Sequence, residues 1–274
     1  MQYFPLASDR FRHDFGVRAL PAEQSIIDVT GEHAAELALR ASLLDQNRDA
    51  HFRAAADSLD AQRDAFDWID RQTGGVLTKP PSGEPPLLTA GRQVQEDLVL
   101  LRDDFSAGYP ICAGVVCFPS GWSIEEKLEQ NVWQVHDVVP EFAALAADKT
   151  VRLLRGLKPL RPVWRLNWGV RSSAELNQTP ARLAELACRA EPITARNAGR
   201  RCWFRVERQT MTRLAGGAIL FTIHTYQVAV ESLDAPQRGR LLGTLQTCPE
   251  ATLRYKGIWP FRCELMEYLR SAAG

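Results

Sequence analysis

His136 and two polar strands are the parts of this chain whose residue types could do chemistry. The histidine stands in Val135-His136-Asp137-Val138-Val139-Pro140, an apolar setting. A lone histidine on an apolar face is usually a satisfied core residue. As a ligand, one axial imidazole suits haem iron better than zinc, because no second or third ligand lies near it in the sequence. Spacing alone leaves both readings open. Of the other histidines, His13, His33 and His51 lie in polar stretches that read as exposed. His224 lies in the second polar strand.

The first polar strand is Arg205-Val206-Glu207-Arg208-Gln209-Thr210. Side chains alternate along a strand, so Arg205, Glu207 and Gln209 share one face while Val206, Arg208 and Thr210 share the other. In Phe221-Thr222-Ile223-His224-Thr225-Tyr226, the residues Thr222, His224 and Tyr226 lie together, opposite Phe221, Ile223 and Thr225. These faces read either as the wet side of a hairpin or as the polar wall of a cavity. Glu207 and Arg208 cannot line the same pocket unless a bulge intervenes.

Several chemistries are excluded. There is no G-x-S-x-G elbow, no phosphate-binding P-loop and no G-x-G-x-x-G dinucleotide turn, so hydrolase, P-loop and Rossmann readings lack support. The six cysteines form no C-x-x-C pair and match no zinc or iron–sulfur spacing. A chain of 274 residues can bury enough core to need no disulfide framework. Basic and acidic residues balance at 33 each, which favours neither nucleic acid nor an anionic membrane as partner. The apolar stretches are too short for a membrane span and the start carries no signal-peptide pattern, so a soluble cytoplasmic protein is expected.

Elements must hold these residues in place. Helical spacing runs over 32–44 and 50–69, and four prolines with three glycines mark a loop at 74–86. Residues 92–103 read as helix or mixed, and 113–118 as a strand ended by Pro119-Ser120-Gly121. Ser123-x-x-Glu126 predicts a capped helix over 124–130, and another helix is expected over 140–155. Strand 162–170 points Trp164, Leu166 and Trp168 one way and Val163, Arg165 and Asn167 the other. Short helix 181–189 precedes strands 202–211 and 218–230, which are joined at Gly216-Gly217 as a hairpin. Helices follow over 236–247 and 262–271. The pattern predicts an α+β fold with a mainly antiparallel sheet: an N-terminal helical extension over 1–90 packed on a domain over 91–274.

An ordered set of motifs then resembles one family. Phe118-Pro119-Ser120-x-Trp122, Glu126-Lys127, His136-x-x-Val139-Pro140, Arg165-x-Asn167-Trp168, Arg205 to Thr210, Phe221-Thr222-Ile223-x-Thr225-Tyr226 and Tyr255-Lys256-Gly257 resemble the haem-dependent oxidative N-demethylase alpha-subunit family, over roughly residues 90–260. The resemblance implies a PAS-like antiparallel sheet binding haem b between sheet and helices, with His136 as axial ligand and metal-binding residue. Lys127, Arg165 and Asn167 would also touch the cofactor, the two cations pairing with its propionates. It implies oxidative N-demethylation of a small secondary amine such as dimethylamine, with dioxygen and with electrons from a separate NADPH-dependent flavin and iron–sulfur reductase. On that reading Arg208 and Tyr226, with Thr210 and His224 beside them, supply polar groups on the open side of the iron, and Glu207 holds the cationic amine. Two positions depart from the pattern: Val138 where proline is expected, and His224 where arginine is expected. The rival reading is a non-catalytic haem-binding sensor or small-molecule module of the same fold.

Overall fold

The computed structural model describes residues 1–12, 16–140 and 147–272. Alternating side chains along Trp203–Arg213 and Ile219–Ala229 build the two longest strands, whose turn is closed by Leu214 N–H donating to Ala218 O at 2.8 Å. Gly217 sits at φ +99° in that turn, a conformation most side chains disfavour. These strands are β6 and β7 of a seven-stranded sheet among the described residues. The others are β1 (Arg18–Ala19), β2 (Phe52–Ala54), β3 (Asp97–Leu101), β4 (Ile111–Val115) and β5 (Val163–Arg171). The order is β1-β5-β6-β7-β3-β4-β2, and every neighbouring pair is antiparallel.

Eight helices of six or more residues surround the sheet among the described residues. They are α1 (His33–Gln46), α2 (Leu59–Gln72), α3 (Pro86–Gly91), α4 (Ala147–Gly156), α5 (Pro180–Arg189), α6 (Ala235–Thr247), α7 (Glu250–Tyr255) and α8 (Arg262–Ser271). The architecture is α+β, as the interleaved pattern predicts.

Register decides which side chains meet. From β5 to β7 the pairing runs without a shift: Asn167 opposes Glu207, Glu207 opposes Thr225, Arg208 opposes His224. Directly opposed residues project to the same side. One face therefore carries Arg165, Asn167, Gly169, Arg171, Arg205, Glu207, Gln209, Met211, Phe221, Ile223 and Thr225. This is the site face. The far face carries Trp164, Leu166, Trp168, Arg208, Thr210, Thr222, His224 and Tyr226.

Each face has its own cover. Behind the far face, Leu98, Leu100, Ala113 and Leu220 pack with Leu44, Phe66, Ile69 and Leu87 from α1, α2 and α3. Further along, Phe204 and Val206 pack with Leu241, Leu245, Leu265 and Leu269 from α6 and α8. Over the site face lies the long link from β4 to β5: Val132, Leu154 and Leu157 pack on Met211 and Ile219, and Ile124 packs on Val99 and Ile111. At about 25 cal/mol per Å² of apolar surface, these clusters are the main stabilising term. The first ninety residues contribute β1, β2 and three helices to this sheet. One tie is ionic: buried Arg40 of α1 pairs with buried Asp97 at 3.1 Å and donates to Gln95 O at 2.7 Å. Asp97 also accepts the N–H groups of Cys117 and Phe118, at 2.8 and 3.0 Å.

Several local expectations shift. The helical pattern over 50–69 is broken by β2, because Phe52–Ala54 finds a free strand edge at β4. Residues 92–103, expected as helix or mixed, contain strand β3, its apolar run buried between β4 and β7. The helix expected over 124–130 is a single turn, Ile124–Lys127, ended by Glu129 at φ +64°. Of the helix expected over 140–155, α4 covers Ala147–Gly156, and residues 141–146 lie outside the described residues. His51 is buried, its Nδ1 2.9 Å from Val116 O, not exposed as its polar neighbours suggested. His33 is half-buried, its Nδ1 3.2 Å from Gln95 Oε1, and His13 lies outside the described residues.

Candidate active site

The floor of the site is a chain of hydrogen bonds across β5 and β6. Arg165 Nε donates to Gln209 Oε1 at 2.7 Å, which sets the orientation of that amide. Gln209 Nε2 then donates to Glu207 Oε2 at 2.9 Å, and Asn167 Nδ2 donates to the same oxygen at 3.1 Å. Burial alone would push the Glu207 carboxyl up. Arg205, hydrogen bonds from Ser120 and Asn167, and Arg171 outweigh it and hold Glu207 below the usual carboxylate range. The floor thus presents one fixed, ionised carboxylate.

Two arginines build the wall beside it. Arg205 donates to the carbonyls of Phe118, Pro119 and Leu176, and Arg171 donates to those of Ser120 and Lys256. Tyr255 and Lys256 close the free edge of β5, where Lys256 Nζ donates to Trp168 O at 2.6 Å and lies 4.6 Å from the Trp168 ring centroid. Burial pushes Lys256 down to about 8, with Arg171 and Arg165 adding to it against Glu207. Burial, and then Glu207, push the Tyr255 phenol up.

The opposite wall carries the histidine. Ser123 Oγ accepts the Glu126 N–H at 3.3 Å and starts the turn that bears Lys127. Asn131 and Gln134 then cap each other reciprocally, at 3.0 and 2.9 Å, and begin the turn Val132–Val135 that ends at His136. His136 Nδ1–H donates to Val132 O at 2.7 Å, so in the neutral ring the lone pair is on Nε2. Burial holds this imidazole below its usual value, helped by Arg165 and Lys127 and opposed by the Val132 hydrogen bond. A carbonyl that holds Nδ1–H fixes the ring's orientation, as it does for imidazoles that bind metals. Val135 and Val139 on either side pack with Phe221, Met211 and Val163, which places this segment over the site face.

The residues present fit a haem. One imidazole from the protein would be enough to hold a haem iron, because the porphyrin supplies nitrogen ligands of its own. Cations exceed carboxylates around the site, as propionates require. Gly169 lies in the middle of β5 on this face, and a Cβ built there would meet nothing within 4 Å. A glycine inside a strand often marks a place where a ligand comes close. A thiolate is a poorer candidate: burial pushes Cys117 and Cys202 up to about 12 and Cys112 and Cys248 to about 11.

Residues 68–266 match the family described as haem-dependent oxidative N-demethylase, alpha subunit-like. The chain belongs to this family. The N-demethylase alpha-subunit-like name denotes a haem-dependent oxidoreductase chemistry and implies partner subunits. Among the described residues no helix is long and apolar enough to cross a membrane.

The N-demethylase motifs do not all meet at one place. His136, Lys127, Arg165, Asn167 and Glu207 come together on the site face or its cover. Arg208, Thr210, His224 and Tyr226 do not join them, because no bulge interrupts the β6–β7 register and all four project to the far face. The resemblance implied that these four surround the open side of an iron held by His136; the register puts them on the face opposite the His136 segment. There, Arg208 donates to Ser25 O at 2.6 Å and to Ile26 O at 3.4 Å, and Thr210 meets Thr222 at 2.7 Å. His224 Nδ1 lies 2.8 Å from Glu96 Oε1, Tyr226 O–H donates to Asp28 Oδ2, and the His224 and Tyr226 rings stack at 4.4 Å.

Sequence reasoning left Gly169, Arg171 and Lys256 without roles. Arg171 continues the Arg165 and Asn167 alternation by two more steps, a signal that was present. Gly169, inside an otherwise bulky strand, was another. The orientation of Lys256 depends on α7 packing at the β5 edge, and nothing local announces it.

Proposed function

We propose that this chain is the haem-carrying subunit of an enzyme that removes a methyl group from a small secondary amine such as dimethylamine. The observation that carries the reading is Glu207: one ionised carboxylate, held by Asn167 and Gln209, on a cation-lined floor beneath a segment bearing a neutral imidazole. A secondary amine is a cation at neutral pH, and a dry, preoriented carboxylate is the group that binds one. The antiparallel sheet with helices over both faces supports a PAS-like architecture.

In the reaction one methyl C–H is oxidised. One atom of dioxygen enters that carbon and the other leaves as water, with NADPH supplying two electrons. The resulting N–CH2OH group breaks its C–N bond, giving formaldehyde and the shorter amine. Bound haem b would supply the redox-active iron at which dioxygen is reduced. His136 Nε2 would ligate that iron, with the Val132 carbonyl holding the ring's orientation. Lys127 and Arg165 would face the propionates. Glu207 holds the ammonium, and Asn167 and Gln209 keep its carboxylate aimed. Arg171 and Arg205 fix the loop over 118–120 that keeps water from the floor. The chain has no dinucleotide fingerprint or cluster-binding cysteine spacing, so a flavin and iron–sulfur partner would deliver the electrons.

An absorption spectrum of the purified protein, oxidised, reduced and with carbon monoxide, should show a Soret band that His136→Ala abolishes. Full haem occupancy with an unchanged spectrum in that variant would overturn the ligand assignment. With a reductase supplied, NADPH consumption should depend on dimethylamine and release formaldehyde. A haem-loaded protein lacking that dependence would be a sensor.

A further inference from the structure

The outer surface of the link that covers the site face is strongly basic. From α4 into the following loop, Lys149, Arg152, Arg155, Lys158 and Arg161 recur at every third position, against the single acid Asp148. All five are exposed, while Leu154 and Leu157 between them are buried against Met211 and Ile219. The chain as a whole is charge-balanced, so this is a local concentration. Elsewhere on the surface Arg102 is neutralised by Asp57 and Glu129, and Arg182 by Glu175 and Glu185. None of the five has a carboxylate within ion-pair reach among the described residues.

An apolar centre adjoins these cations. The Arg155 guanidinium lies 4.5 Å from the centroid of the Phe105 ring, which is half exposed. Trp133 is 43% exposed and packs over Gly108, where an added Cβ would come within 1.9 Å of its ring. Two acids beside Phe105 are engaged, Asp103 with Arg213 at 2.5 Å and Asp104 with Ser106 Oγ and the Ala107 N–H. Exposed aromatics rimmed by cations are the composition of a protein interface. This one lies close to the site: Trp133 is in the turn that ends at His136, and α4 is one helix, about 10 Å thick, over the site face.

We infer that this surface docks an acidic electron-carrier protein, the partner that reduces the site. The inference rests on the proposed function, which needs electrons this chain does not generate. Opposed charge on the two partners would steer encounter, with the aromatic pair as the contact centre.

A plant-type [2Fe–2S] ferredoxin, a small acidic carrier, is a suitable probe. Calorimetric titration of the full chain at low salt should show binding that weakens as salt rises. Arg152→Glu with Arg155→Glu should weaken it about tenfold or more. The control pair Arg189→Glu with Arg196→Glu, exposed cations elsewhere on the surface, should leave it unchanged. Trp133→Ala should weaken binding without removing its salt dependence. In haem-loaded protein the same double variant should slow reduction by ferredoxin but not by dithionite. No binding by the unaltered chain, equal weakening by the control pair, or preferential binding of duplex DNA or anionic vesicles would overturn the inference. Binding is measured with or without haem, so a missing Soret band would count against the proposed function and leave the docking result intact.

Discussion

On β6, Glu207 and Arg208 are chain neighbours that do opposite work. Glu207 faces the His136 segment from a floor whose partners, Asn167 and Gln209, are side chains of the same sheet. Arg208 faces the N-terminal segment, and its partners are backbone carbonyls at Ser25 and Ile26. The same division holds on β7, where Thr225 meets the site floor while His224 and Tyr226 reach Glu96 and Asp28. One polar set aims a charge at a space that stays open at Gly169. The other satisfies buried backbone and stitches an early chain segment to the sheet. Polar residue type is thus no guide to role; the facing partner is.

Four measurements bear on that division, the largest effect first. Glu207→Gln should keep the haem spectrum and lower kcat/KM for the amine about a hundredfold, or about 2.7 kcal/mol. Arg208→Met, its neighbour, should leave kcat/KM unchanged; equal losses from both would dissolve the distinction between the faces. His224→Leu removes a buried hydrogen bond to Glu96 and should cost about 1.5–3 kcal/mol in urea unfolding, with the Soret band where it was. Tyr226→Phe, which loses only the hydroxyl contact to Asp28, should cost about 1 kcal/mol by the same assay, again with turnover intact.

A pH dependence follows from the same burial. His136 is held below its usual value of about 6.5, so between that value and its folded one the unfolded chain binds the extra proton. Stability from this site should therefore fall as pH drops below about 6.5, and iron ligation should be lost in the same direction. Lys256, pushed down to about 8, behaves alike in a higher window. There the unfolded chain again binds more protons, so stability should rise from pH 8 towards 10.5. Lys256→Met should flatten that slope, and an unchanged slope would remove Lys256 from the buried edge of the site.

Much of the frame was legible. Alternation in Val163–Arg171 separated Trp164, Leu166 and Trp168 from Arg165 and Asn167, and the sheet keeps them on opposite faces. Gly216-Gly217 announced the hairpin because only a residue tolerant of positive φ closes that turn. The helical pattern over 50–69 misled, since Phe52–Ala54 takes its conformation from β4, a partner more than fifty residues away. Residues 92–103 left helix and mixed structure open for the same reason: β3 is a strand because β4 and β7 lie on either side of it.

The candidate site divides along the same line. The sequence by itself determined that His136 stands among apolar residues, that Glu207 and Arg208 must point apart, and that an ordered set of motifs runs from Phe118 to Gly257. Those follow from residue type and strand period, which are local. Only the tertiary structure decided which of the two opposed faces the His136 segment covers, and that Arg171 and Lys256 border the site. It also decided that His224, for all its difference from the expected motif, looks away towards Glu96. The choice depends on which apolar surface the link from β4 to β5 buries, and burial is a property of the whole chain.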